Sequence, residues 1–208
     1  MAPVPQSASA DRNKQPILDV LSRVLPASGA ALEIASGTGQ HAAWFAAALP
    51  GWVWQPTDAD ESALPAIAAW TIQAGLANVL APLLLDVMAP QWPAEAALFE
   101  QAFDAIYCAN MLHISPWATC PALMQGCARH LAPGGVLVTY GPYLEEGVPT
   151  AQGNLSFDRS LRARNPAWGI RRLEDVSREA QRAGLHLHER HAMPANNLLL
   201  VFARPRIA

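Results

Sequence analysis

The stretch Glu33-Ile34-Ala35-Ser36-Gly37-Thr38-Gly39-Gln40-His41 carries residue types spaced for ligand chemistry. Glycines after a strand let the backbone approach a ligand closely, and the N-terminus of the next helix offers unpaired N–H groups. A nucleotide-type ligand suits such a turn. Gly37-x-Gly39-x-x-Ala42 also satisfies the dinucleotide pattern G-x-G-x-x-G/A, with Asp58 standing about 20 residues on for a ribose hydroxyl, so glycine spacing alone leaves the cofactor open. Glu33 weighs against a dinucleotide, because a carboxylate beside the turn repels a pyrophosphate and attracts the ammonium of an amino-acid moiety. S-adenosyl-L-methionine has that ammonium and no phosphate. The competing reading is a plain strand-to-helix connection, and the recurrence of acids at successive strand ends, Glu33, Asp58 and Asp86, argues against it.

A second constellation is Asn110-Met111-Leu112-His113-Ile114-Ser115-Pro116-Trp117, directly after the apolar run 103–109. In an open parallel sheet this position lies outside the carboxyl ends of the strands, where ligands bind. His113 is a candidate base or hydrogen-bond donor, with a structural histidine or a helix cap as the alternative. Tyr140, Tyr143 and Asp158 are further candidates to accept a proton from an acceptor group, and His113 is the best matched to neutral pH. Asp58 and Asp86 have a capping alternative, with Asp60 or Glu61 sharing that role. Seven arginines between Arg159 and Arg182 form either a positive rim for an anionic substrate or a solvated face paired with nearby acids. His186, His188 and His191 lack a matched third ligand or carboxylate partner, so no metal site is expected. Asn196-Asn197 is a turn pair or projects toward the same rim.

These residues need a scaffold that gathers strand ends on one edge. Apolar residues Ile17, Leu18, Leu21, Val24 and Leu25 recur at helical spacing, and Pro16 suits a first turn, predicting a helix over 13–25. A strand at 30–35, the glycine turn and a helix over 41–49 follow. The alternation continues with strand 52–57, helix 61–74, strand 79–85, a short helix near 94–101, strand 103–109, helix 116–131 and strand 136–140. Such alternation requires crossover connections, so the expected class is α/β and doubly wound, with a mostly parallel seven-stranded sheet. Residues 141–170 read as a long substrate-side loop, followed by a helix over 173–184 and a C-terminal antiparallel hairpin of strands 186–192 and 197–203. Residues 1–10 read as a loose tail before one domain at 11–208.

At this point the sequence resembles the class I S-adenosylmethionine-dependent methyltransferases, whose first motif reads acid-x-Gly-x-Gly-x-Gly after the first strand. Ala35 stands at the first glycine here, while Gly37 and Gly39 keep the other two. The ordered landmarks continue with Asp58, Asp86, Asn110 and Leu131-Ala132-Pro133-Gly134-Gly135, covering most of residues 30–140. The resemblance implies Asp58 on the ribose hydroxyls, Asp86 on the adenine amino group with the Val87 N–H nearby, and Asn110 and Met111 under the methionine portion. It also suggests Arg12 and Asn13 as a cover for the cofactor's carboxylate. The strings Ala35–His41, Asn110–Trp117, Arg164–Arg171 and Pro194–Asn197 are similar to the methyltransferase-like 26 family, a match that spans the chain and implies the same fold.

Composition limits the partners. The 208 residues are 51% hydrophobic and 15% charged, enough apolar area for a folded core. A net charge of −3 provides no general field for nucleic acid or an anionic membrane. Three cysteines without metal or disulfide spacing, no membrane-length apolar run and no secretion-type start suggest a cytoplasmic protein. The expected function is methyl transfer from S-adenosyl-L-methionine to a small molecule, with S-adenosyl-L-homocysteine as product. A nicotinamide-dependent oxidoreductase and a non-catalytic cofactor- or partner-binding module are the rivals, and the oligomeric state is not legible.

Overall fold

A computed structural model describes residues 4–93, 99 and 101–205. The chain alternates helix and strand: α1 Ala8–Val24, β1 Gly29–Ile34, α2 Gln40–Ala48, β2 Trp52–Asp58, α3 Leu64–Ala74, β3 Leu83–Leu84 and β4 Phe103–Ala109. It continues with α4 Thr119–His130, β5 Leu131–Leu144, α5 Gln152–Arg164, β6 Arg171–Arg172, α6 Leu173–Arg182, β7 His186–Met193 and β8 Asn197–Ala203. The strands form one sheet in the order β3-β2-β1-β4-β5-β8-β7, with β6 beside the end of β5. All pairs from β3 to β5 run parallel, and β8 is antiparallel to both β5 and β7. This is the expected doubly wound α/β fold with its C-terminal hairpin. Its seven-strand path is joined by the two-residue β6.

Alternation along the central strands divides the core between the two faces of the sheet. On one face Leu32, Ile34, Ile106, Cys108 and Leu137 meet Leu123 and Met124 of α4 and Val176 of α6. On the other, Ala31, Trp54, Tyr107 and Val138 meet Ile17 and Leu21 of α1 and Phe45 of α2. Among the described residues no helix is long and apolar enough to cross a membrane.

Several boundaries differ from expectation. Helix α1 starts at Ala8 because Ser7 caps it, its hydroxyl accepting the Ala10 N–H at 3.3 Å. The preceding chain is also held, since the Trp70 indole N–H donates to the Pro5 carbonyl at 2.9 Å. The expected strand 79–85 shrinks to β3 plus a bridge between Trp54 and Val79, because Pro82 has no N–H to continue the ladder. The expected helix near 94–101 lies almost entirely outside the described residues. The largest correction concerns 141–170: β5 runs on to Leu144, and α5 fills half of what reads as a loop. Only Asn154 and Leu161 of α5 are buried, too sparse an apolar pattern to announce a helix.

Packing between α4 and the connection after β3 is tight. A Cβ added at Gly126 would lie 2.1–2.6 Å from ring atoms of the fully buried Trp92. Gly126→Ala is therefore expected to destabilise the fold by about 1–3 kcal/mol through overpacking, read as a lowered urea midpoint.

Candidate functional site

Because β2 and β3 extend the sheet from one side of β1 while β4 and β5 extend it from the other, the connections part at the carboxyl ends of β1 and β4. Such a switch point opens a crevice. Two cavities lie there and share Ile114 in their walls. The first, about 480 Å³, has walls that include Ala35, Gly37, Asp58, Asp86, Val87 and Met111. The second, about 730 Å³, includes Arg12, Asn13, Asn110, His113, Tyr140 and Asn197.

The turn after β1 is built around left-handed backbone. Gly37 has φ 58° and donates its N–H to Asp58 Oδ2 at 2.8 Å. Ala35 has φ 57°, a conformation that costs an L-residue about 1–2 kcal/mol. Gly39 serves a different end from the cofactor role expected of it. Its Cβ would stand 2.7 Å from the Ile67 Cα, so the glycine lets α2 pack against α3, and it does not line the first cavity. Asp58 does not cap the next helical turn; Asp60 does, accepting the Ser62 N–H at 2.9 Å. The second Asp58 oxygen accepts the Asp60 N–H at 3.0 Å, which fixes the carboxylate at the cavity wall. Asp86 is held similarly by the Met88 N–H at 2.9 Å, so it both closes a turn and lines the cavity.

Glu33 departs from the expectation. Its side chain is 1% exposed, lies behind the turn and lines neither cavity. One oxygen accepts the Trp54 indole N–H at 2.9 Å. Burial raises its pKa to about 8, the negative Asp58 adding to the shift and bonds from Trp54 and Ser36 opposing it. The direct grip on an ammonium read from the sequence is therefore not the geometry found; Glu33 is a buried acid that supports the turn from beneath.

In the second cavity Tyr140 and His113 share the wall with Asn110, which sits at φ 60° just after β4. The His113 ring is 6% exposed and meets Phe157 edge-on at 5.5 Å between centroids. Burial, with the Arg171 and Arg164 charges beside it, lowers its pKa to about 4, so the imidazole is neutral at physiological pH. The Tyr140 hydroxyl accepts the Asn197 amide at 3.1 Å, and Asn13 lines the same cavity. Burial raises its pKa, and the two amides counter part of that rise. Asn13 Oδ1 in turn meets His41 Nε2 at 2.7 Å, and His41 Nδ1 meets the Tyr107 hydroxyl at 3.3 Å. An amide oxygen only accepts, so Nε2 carries the proton and Tyr107 donates to Nδ1.

Two of the catalytic candidates are not brought to the cavity. Tyr143 points to the opposite face of the sheet and donates its hydroxyl to Thr139 Oγ1 at 2.8 Å in the core; burial pushes its pKa up. Asp158 accepts from Arg162 Nε at 2.8 Å and from the Ile170 N–H at 2.7 Å, clasping α5 to the following chain. Burial alone would raise its pKa, but the Arg162 bond, the Ile170 bond and nearby guanidinium charges hold it below the usual carboxylate range. Among the seven arginines, Arg171 ties the turn Leu112–Ile114 in place through the Leu112 and Ser115 carbonyls. Arg162, Arg172, Arg178 and Arg182 pair with acids. His41 and Asn154 were missed by sequence reading, because their partners lie 28 and 42 residues away and no local spacing announces them.

The molecule has the Rossmann-like methyltransferase fold with a two-chambered crevice at its switch point. The chain belongs to the family described as Protein of unknown function (DUF938), which it matches over residues 4–204. It is similar in structure to an O-methyltransferase family protein from Burkholderia thailandensis, with TM-score 0.78 and 17% identity, over 96% of this chain and 58% of that one. It is similar to an O-methyltransferase family 2 protein from Planctomyces limnophilus DSM 3776 in complex with apigenin, with TM-score 0.76 and 18% identity, over 95% and 60%. A third is CalO1, a methyltransferase in calicheamicin biosynthesis in its SAH-bound form, with TM-score 0.73 and 15% identity, over 95% and 55%. The chain thus spans between half and two-thirds of the length of these structures.

Two outcomes follow. Ala35→Gly removes the left-handed penalty at a modest cost in unfolded-chain entropy, so stability should rise by up to about 1 kcal/mol in urea unfolding. Glu33, with its folded pKa above the unfolded one, binds protons more tightly when folded. Its contribution to stability is greatest below pH 4.5 and is lost as pH rises toward 8. Glu33→Gln should flatten the stability profile across that window, and unfolding midpoints at pH 5 and pH 8 that shift in parallel with wild type would contradict the assignment.

Proposed function

We propose that this protein is an S-adenosyl-L-methionine-dependent methyltransferase acting on a small molecule. The observation that carries the reading is the pair of cavities meeting at Ile114: one flanked by carboxylates, the other containing polar side chains and, among the described residues, no carboxylate. The fold shared with O-methyltransferases supports it, and so do the resemblances of the sequence to class I methyltransferases and to the methyltransferase-like 26 family.

The residues of the first cavity fit the cofactor. Asp58 suits a ribose diol and Asp86 an adenine amino group, each acid held by a backbone N–H. Ala35, Val87 and Met111 give a purine apolar walls. The Gly37 N–H is already taken by Asp58, so the turn presents a carboxylate where a dinucleotide would need free donors for its pyrophosphate. Asn110 lines the second chamber and is followed by Met111 in the wall of the first, so it suits the methionine portion.

When bound, S-adenosyl-L-methionine supplies an electrophilic methyl group and leaves as S-adenosyl-L-homocysteine. The protein's part is orientation and exclusion of water, which together remove much of the barrier. Phe157, Pro142 and Ile114 provide apolar surface around the acceptor, while His113 and Tyr140 offer polar contacts to it. A cytoplasmic location and a small-molecule partner, with no role for nucleic acid or membrane, complete the reading.

Calorimetric titration is expected to give binding of S-adenosyl-L-homocysteine and none of NADH. Asp58→Asn keeps one oxygen for Gly37 and should weaken that binding about tenfold or more, the loss of a hydrogen bond to a charged group. Binding of the dinucleotide alone would favour an oxidoreductase. Binding of S-adenosyl-L-homocysteine with no tritiated methyl transfer into any small-molecule fraction would favour a non-catalytic module.

A further inference from the structure

Resting on the methyltransferase reading, we infer that the acceptor is a small organic acid whose own carboxylate is the methylated nucleophile. The electrostatics of the second cavity point that way. Its described walls carry no Asp or Glu, and Arg12 stands among them. Two further guanidinium groups, Arg171 and Arg164, act on His113 from behind the wall, and Arg171 is fixed there by its carbonyl partners. An ammonium acceptor, charged up to a pKa of about 10, would enter this positive field unpaired. An anion would be drawn into it.

Hydrogen-bond direction adds an independent argument. The Tyr140 oxygen already receives the Asn197 amide, and Asn13 uses its oxygen on His41, which leaves the Asn13 amide N–H groups to the cavity it lines. Tyr140 is the acceptor in the Asn197 bond, so its own O–H is left to donate into the cavity. Together with Arg12, it forms a donor set suited to an oxyanion.

Among its described residues the cavity also lacks a competent base. Tyr143 and Asp158 are turned away and engaged elsewhere. His113 faces the space but, buried beside two cations, holds a proton too weakly to take one from an alcohol or an unactivated phenol. The nucleophile must therefore arrive ionised, as a carboxylate does at neutral pH, its pKa being about 4. A carboxylate lone pair forms the new O–C bond to the methyl carbon as the S–C bond breaks and its electron pair stays on sulfur. Anion and sulfonium become a neutral methyl ester and a neutral thioether, and no proton is exchanged. Phe157, Ile114 and the prolines of the wall suit an apolar or aromatic body on that acid.

The test uses the full chain with methyl-tritiated S-adenosyl-L-methionine and a panel of benzoate, phenylacetate and decanoate, against phenol, benzyl alcohol and benzylamine. The expected result is label in the acids alone, released as volatile methanol by alkali. Arg12→Gln should raise the KM for the acid about tenfold, the loss of a charge-assisted bond, with affinity for S-adenosyl-L-homocysteine unchanged. Alkali-stable label in phenol, benzyl alcohol or benzylamine overturns the inference, as does absence of label from every acid while S-adenosyl-L-homocysteine still binds. An Arg12→Gln protein that loses S-adenosyl-L-homocysteine affinity by the same factor also overturns it, because the arginine would then serve the cofactor's carboxylate. Failure of wild type to bind S-adenosyl-L-homocysteine at all brings down the underlying methyltransferase reading and this inference with it.

Discussion

Parallel pairing of β1 with both β2 and β4 is the constraint on which the rest of the molecule depends. It brings the carboxyl ends of those strands onto one edge, and it forces the crossovers after β1 and β4 to opposite sides. The crevice is what this divergence leaves behind. Residues 36 to 39, 58 to 60, 86 to 88 and 110 to 115 are distant in the chain yet adjoin at this edge, and each follows a strand end or a short connection.

Around that crevice the two chambers are held in different ways. The first is organised by carboxylates that bind backbone: Asp58 secures the glycine turn and Asp86 secures the bend after β3. Each acid thus stabilises the loop that presents it. The second is organised by two sets of neutral groups: Tyr107, His41 and Asn13 tie α1 to the sheet, and Tyr140 with Asn197 ties the sheet to the C-terminal hairpin. Buried polar groups that satisfy one another are rigid, and the direction of donation is fixed within each set. Burial keeps His41 as well as His113 neutral, each with a pKa lowered to about 4. The contrast of charge between the chambers is a product of position, since Asp58 and Asp86 line the first while Glu33 and Asp158 are engaged away from the second.

The fold was largely legible because period and punctuation are local. Strand β4 matches its apolar run residue for residue, and the short link before β8 marks a hairpin. Helix α5 was not legible, since its helical face buries only Asn154 and Leu161 against the rest. Strand β3 was overestimated because apolar residues around Pro82 look like a strand without being able to pair as one. Of the site, the turn and the acids Asp58 and Asp86 could be placed by their distance from strand ends. The directions of Glu33, Tyr143 and Asp158 could not, because a one-residue step in a strand or a bond to a neighbour decides which side a group faces.

The amino-acid order by itself therefore determined the layered α/β architecture, the glycine turn and the acids at strand ends, all consequences of spacing within a few residues. Tertiary structure alone decided that Glu33 is sealed beneath the turn and Gly39 is a packing glycine. It also decided that Tyr140, not Tyr143, reaches the second chamber, and that His41 stands behind Asn13. Those outcomes depend on which surfaces meet after the chain has crossed over, and on how much water remains around each group once they do.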